Sequence, residues 1–248
     1  MKIGVQFYTL RKYLKDENGY REAFKRIKEM NAETVQLSGA LPVDAKTLGE
    51  ISRGYDLPIC STHAPFERIV NDLDRLSDEH LEFDCQNIGV GMMPLKYHTG
   101  KLADLDAFIL ILNTTAEKLA KKNMTIAYHN HGFEFKEAEG KRIMDYLIEK
   151  TLPEVQFIPD TFWIKEGGFE PVDYIKKLSG RINTLHLKDY KKTLGIPLFR
   201  AIGKGTLDFK SILAAAEKAA VENAVVELDL SPDPYKSIKF SLDYLRRI

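Results

Sequence analysis

Little in this chain ties it to an oxidising compartment, a membrane or a polyanion. It has only two cysteines, Cys60 and Cys85. Their separation matches neither a zinc-ligand spacing nor a redox C-x-x-C, so packed or free thiols are expected rather than a disulfide frame. No apolar run approaches the roughly 18 residues a transmembrane helix needs. Nor does a basic, apolar and small-residue succession open the chain as a secretory signal would. A cytoplasmic setting is the expectation, although a mature secreted chain would read the same way. Excess charge is missing too: 36 Lys and Arg balance 36 Asp and Glu, which leaves no net field to gather nucleic acid or an anionic bilayer. The expected partner is a small molecule, with a homo-oligomer left open. No stretch rich in Pro, Gly or Ser reads as a linker, so residues 1–248 form one expected domain.

What the chain does have is alternation. With 44% apolar and 29% charged residues it can bury a sizeable core. Strand-like runs at 2–8, 33–37, 57–62 and 86–92 are each followed by a helix-like segment, at 17–30, 43–53, 66–83 and 102–122. The pattern continues with strands near 125, 155, 182 and 224 and helices near 141–150, 171–178, 209–220 and 234–247. Eight strand and helix pairs in one α/β domain predict a (β/α)8 TIM barrel. A doubly wound open sheet is the rival, weakened because no G-x-G-x-x-G follows a strand. Gly203-Lys204-Gly205 lacks the third glycine, and Gly89 and Gly91 lie inside a strand, where they permit close packing.

A barrel should gather polar groups on one parity at the carboxyl ends of its strands, and this one does. Thr184, His186 and Lys188 alternate with Leu185 and Leu187, and Glu227 and Asp229 alternate with Val226 and Leu228. Asp160 opposes Phe157 and Pro159, Gln6 and Tyr8 oppose Val5 and Phe7, Gln36 opposes Val35 and Leu37, and His63 shares a face with Ser61. Any one such acid could cap the next helix instead. Asp160, His186 and Glu227 arriving from three successive strands are harder to explain that way, because buried carboxylates need a cation or a proton.

The densest stretch is residues 124–135, M-T-I-A-Y-H-N-H-G-F-E-F. A strand there puts His129 and His131 on one face, with Glu134 just past Gly132. Such donors suit a divalent metal or a proton-transfer site; a pair of hydrogen-bonded structural histidines is the plain alternative. His80 and His98 read as surface residues, and Trp163 as a pocket wall.

Together these motifs carry a resemblance. The opening residues 3–11, then Y-H-N-H at 128–131 with Phe133-Glu134-Phe135, D-T-F-W at 160–163, H-L-K-D at 186–189, Gly203-Lys204-Gly205 and Glu227-Leu228-Asp229 resemble, in order, the xylose isomerase-like TIM-barrel family of sugar phosphate isomerases and epimerases. The resemblance implies one divalent ion held from strands five to eight, with Asp160, His186 and Glu227 as ligands. The fourth ligand is either His129 or Glu134. Glu134 is the expected choice, because three carboxylates and one histidine suit Mn²⁺, with Mg²⁺, Co²⁺ and Zn²⁺ also compatible.

The implied reaction removes a proton next to a sugar carbonyl, giving an enediolate that is reprotonated to an epimer or isomer. His131 and His129 are the candidate bases, Glu227 can shuttle protons, and Lys188 steadies negative charge. Tyr8, Gln36, His63 and Trp163 are the expected substrate contacts. A lyase or dehydratase working on a polyol or keto-glycoside through the same intermediate is the second reading. An apurinic endonuclease is the third, disfavoured by the neutral charge.

Overall fold

The computed structural model describes residues 1–39 and 41–248. Its centre is a ring of eight short strands: β1 Lys2–Gln6, β2 Val35–Ser38, β3 Ile59–Ala64, β4 Asn87–Val90, β5 Thr125–His129, β6 Gln156–Ile158, β7 Thr184–Leu187 and β8 Asn223–Val226. They pair in parallel, in the order β6-β5-β4-β3-β2-β1-β8-β7. Parallel bridges of Phe157 with Ile182 and of Asp160 with His186 close the gap between β6 and β7. The expected (β/α)8 barrel is therefore the fold. No helix among the described residues is long and apolar enough to cross a membrane.

Caps and apolar stripes explain why the connections are helical. Asp16 accepts from the Gly19 amide and starts helix Glu17–Glu29, which buries Tyr20, Ala23, Phe24 and Ile27 at helical spacing. Asp44, Asp208 and Asp233 cap Ala45–Gly54, Phe209–Lys218 and Pro234–Leu245 in the same way. Strand parity follows the sequence pattern: Leu185 and Leu187 are wholly buried in the hydrophobic core, whereas His186 joins a buried polar group and Lys188 lines the cavity at the barrel mouth. Each of those leucines contributes roughly 2 kcal/mol by leaving water.

Several local expectations change. β1 stops at Gln6, whose side chain caps a 3-10 turn over Phe7–Leu10. The 66–83 region is two helices, Phe66–Asn71 and Leu73–Glu82, broken at Asp72. His80 is not on the surface: it is 3% exposed, its ring 2.8 Å from Thr62 Oγ1 and 2.7 Å from the Leu76 carbonyl. Leu76, His80 and Phe83 share one helical face, which carries the imidazole inward. His98 is half-buried against the Phe133 ring, with centroids 3.9 Å apart.

An unanticipated hairpin follows β7, pairing Asp189–Thr193 with Ile196–Arg200. Its turn places Leu194 and Gly195 at φ 51° and 79°, a conformation that leucine seldom signals. Asp189 ties the hairpin to the next loop. Its Oδ1 accepts from the Tyr190, Thr206 and Leu207 amides and its Oδ2 from those of Gly203 and Gly205. A Cβ at position 205 would lie 2.0 Å from that carboxylate, so only glycine fits.

Candidate active site

At the carboxyl ends of β5 to β8, His129, Asp160, His186 and Glu227 each bring one donor atom to a buried group whose members all lie within 4.8 Å of one another. His186 Nδ1 is 2.8 Å from Glu227 Oε2 and 3.8 Å from Asp160 Oδ2, and His129 Nε2 is 3.5 Å from Asp160 Oδ2. None of these four atoms makes a well-aligned hydrogen bond among the described residues; their close neighbours are one another and the Lys188 ammonium. Two carboxylates with two imidazoles gathered this closely suit a divalent ion.

The remaining polar atoms of these side chains are committed elsewhere, which aims the free ones. Asp160 Oδ1 accepts from the Trp163 amide at 3.0 Å and caps helix Thr161–Glu166. The capping role and the site role thus fall to different oxygens of one carboxylate. His129 Nδ1 is 3.0 Å from the Gly91 carbonyl, and His186 Nε2 is 2.5 Å from Gln36 Oε1.

Lys188 is the cation of the group. Its Nζ, in a side chain only 2% exposed, lies 3.2 Å from Asp160 Oδ2, 3.4 Å from Glu227 Oε2 and 3.2 Å from Asp229 Oδ1. Burial would lower its pKa, but Asp160, Glu227 and Asp229 more than offset that and hold it above the ordinary lysine range. Burial raises Asp160, yet Lys188 and His129 bring it down to about 2. Glu227 is likewise held low against burial, by Lys188 and His186. Asp229 goes the other way, to about 6, because burial and the neighbouring carboxylates outweigh Lys188. Burial, with neighbouring imidazoles, depresses His63 and His186 and takes His131 to about 3.

Over residues 24–248 the sequence matches the xylose isomerase-like TIM barrel family. The chain belongs to that family. It is 26% identical over 157 residues to an inosose dehydratase of Geobacillus kaustophilus, a match covering 55% of this chain and half the length of that protein. Its fold is similar to that of a sugar phosphate isomerase/epimerase from Parabacteroides distasonis, with a TM-score of 0.81 and 21% identity over 99% of this chain and 93% of the other. It is also similar to a probable 3-DHS dehydratase, AsbF, from Bacillus anthracis, with a TM-score of 0.79 and 15% identity over 99% of both chains.

In this xylose isomerase-like barrel the two strand-five candidates stand in different places. His129 stands with Asp160, His186 and Glu227, and Glu134 does not. A 3-10 turn over Phe133–Phe135 folds Glu134 away from the group. Wholly buried there, it accepts from the Tyr128 hydroxyl at 2.5 Å and the His131 amide at 2.8 Å, and burial raises its pKa to about 7.

Above the donor group lies a cavity of about 740 Å³ whose walls include Tyr8, His63, His131, Trp163 and Lys188. Gln36, an expected substrate contact, is not among them; it is wholly buried beneath His186. His63 packs its ring 5.3 Å from that of His186, in space left by Gly89 and Gly91, where a Cβ would come within 3.0 Å of the imidazole. Sequence reading missed Arg11, Phe66, Met92, Phe199 and Asp229 as lining residues. Asp229 carried a signal, being on the inward parity two residues after Glu227; Phe199 arrives only through the hairpin.

A second cavity, of about 710 Å³, lies outside the barrel around Arg68, Arg75, Glu79 and His80. Its charged groups are paired with one another, Arg68 with Asp72 and Glu79 and Arg75 with Glu79.

Proposed function

We propose that this barrel is a metal-dependent isomerase or epimerase of a sugar or keto-sugar, working by proton removal next to a carbonyl. The reading is carried by four donor atoms, on His129, Asp160, His186 and Glu227, converging beside a neutral imidazole and a buried cation. These four residues would hold a divalent ion, which would supply polarisation of a substrate carbonyl and so acidify the adjacent C–H. Because a histidine replaces the expected glutamate among the donors, Zn²⁺ and Co²⁺ are as well suited as Mn²⁺, and Mg²⁺ is least suited.

The chain's own groups divide the remaining work. His129 is committed to the donor group, so His131, which lines the cavity, is the base. Held at about 3, it is uncharged at neutral pH and free to accept a proton, but it is weak and suits only a well-acidified carbon. Lys188 stabilises negative charge on the substrate oxygen, and Glu227 is placed to return a proton. Tyr8, His63 and Trp163 bind the sugar. A neutral sugar is favoured over a phosphorylated one, because Arg11 is engaged by the Tyr8 and Asp229 carbonyls and Lys188 by three carboxylates. Free Cys60 and Cys85 accord with a cytoplasmic setting.

A dehydratase or lyase is the second reading, supported by the dehydratase names of two relatives and by Lys188 and Asp229 beside the cavity, where a departing hydroxyl needs a proton. Both readings begin with the same proton transfer. Wild-type protein loaded with Mn²⁺ and incubated in D₂O with ketoses, aldoses and 3-keto-sugars should place deuterium on the carbon next to the carbonyl. His131→Ala should keep the metal and lose the exchange. Net loss of water from the sugar would select the dehydratase. Absence of exchange with every sugar would sink both readings.

A further inference from the structure

Beneath the donor group lies an arrangement the proposed reaction does not use. Gln6 and Gln36 are both wholly buried and sit in register on β1 and β2. Gln6 Oε1 accepts from the Tyr8 amide at 3.1 Å, which fixes which way round the Gln6 amide lies. Its Nε2 must then point to Gln36, where it donates to Oε1 at 2.8 Å. Gln36 is oriented in turn, because a reversed amide would set two donors against each other. The same Gln36 oxygen stands 2.5 Å from His186 Nε2.

An amide oxygen only accepts, so His186 carries a proton on Nε2, and Nδ1 is the nitrogen left to give its lone pair to a metal. Nδ1 is the atom that stands with Asp160 and Glu227. We propose that Gln36, oriented by Gln6, is a positioning residue that selects the metal-ready tautomer of His186. The proposal rests on the reading of the four donors as a metal site. Gln36 Nε2 has no partner, and a buried donor left unpaired weakens a fold.

Two measurements test the proposal: Mn²⁺ affinity by competition with a fluorescent chelator, and the ¹⁵N shifts of the His186 ring in the metal-free protein. Gln36→Leu should weaken Mn²⁺ binding by about 10–100-fold, the range for lost partners of metal-ligating histidines. Its metal-free thermal midpoint should fall, because Gln6 Nε2 and His186 Nε2 both lose their acceptor, so the ring shifts and the Gln36→Glu variant, rather than stability, separate positioning from a merely structural role. Gln36→Glu, still an acceptor for Nε2–H, should stay within a few-fold of wild type. Gln36→Met repeats the test if the leucine variant folds poorly.

In metal-free wild type the ring should be protonated at Nε2, and in Gln36→Leu it should shift towards a mixture of tautomers. Mn²⁺ binding to Gln36→Leu as tight as to wild type, or an Nε2 without its proton in wild type, would overturn the proposal. Wild type with no Mn²⁺ affinity would sink the metal reading, and the ring shifts would still decide the tautomer.

Discussion

Replacing Lys188 with methionine keeps the side-chain length and removes the one cation shared by Asp160, Glu227 and Asp229. Losing one partner of a buried ion pair costs about 3–5 kcal/mol, because the other charge is left uncompensated. Here Asp160 and Glu227 are both deeply buried and both depend on Lys188, whereas Asp229, with 23% of its side chain exposed, is partly relieved by water. In a chain of this length 1 kcal/mol moves the thermal midpoint by about 2–4 °C, so the metal-free variant should melt roughly 6–20 °C below wild type. A divalent ion at the four donors restores positive charge beside the same two carboxylates, without a neighbouring ammonium to repel it. Mn²⁺ should therefore raise the midpoint of the variant by more than it raises that of wild type. Calorimetry in chelator and in excess Mn²⁺ reads both quantities. A metal-free midpoint within 2 °C of wild type, or equal metal-induced shifts in the two proteins, would refute this account of Lys188.

Two further tests address buried groups beside and below the site. Glu134→Leu leaves the Tyr128 hydroxyl and the His131 amide without an acceptor, so it should cost about 1–3 kcal/mol in urea unfolding while elemental analysis still finds one metal per chain. Loss of the metal would return Glu134 to the ligand role. His80 concerns pH: burial holds its folded pKa at about 4, below the usual 6.5, so the unfolded chain binds the proton more readily between those values. Stability therefore falls as pH drops through that window, by up to roughly 3 kcal/mol from this group. Unfolding free energies at pH 7 and pH 5 should differ by about 2 kcal/mol more in wild type than in His80→Gln; parallel behaviour of the two would contradict it.

The sequence was most readable where period and burial agree. Leu185 and Leu187 against His186 and Lys188 marked both the strand and its inner face, because a strand buried on two sides must sort polar from apolar residues by parity. The same logic located Asp160, His186 and Glu227. It could not choose at strand five, where His129 and Glu134 are both plausible donors and only the 3-10 turn after Gly132 sets them apart in space. Gln36 was visible as an inward polar residue, but its depth was not: parity gives the face of a residue and not its level in the barrel. His80 shows a signal that was present and passed over, since Leu76 and Phe83 already marked its helical face. The hairpin after Asp189 left almost no trace, because its turn places a leucine at positive φ and its base is fixed by amides 14 to 18 residues away.

Asp189 also sets how this end of the barrel comes apart. A single carboxylate accepts five backbone amides, one from the hairpin and four from the stretch 203–207. The hairpin carries Phe199 to the cavity wall, and the stretch leads into helix Phe209–Lys218. Neither segment can peel away while the other holds the carboxylate in place. Loosening here is therefore a joint event with one threshold, so that one wall of the cavity and the connection behind it yield in a single step rather than by gradual fraying.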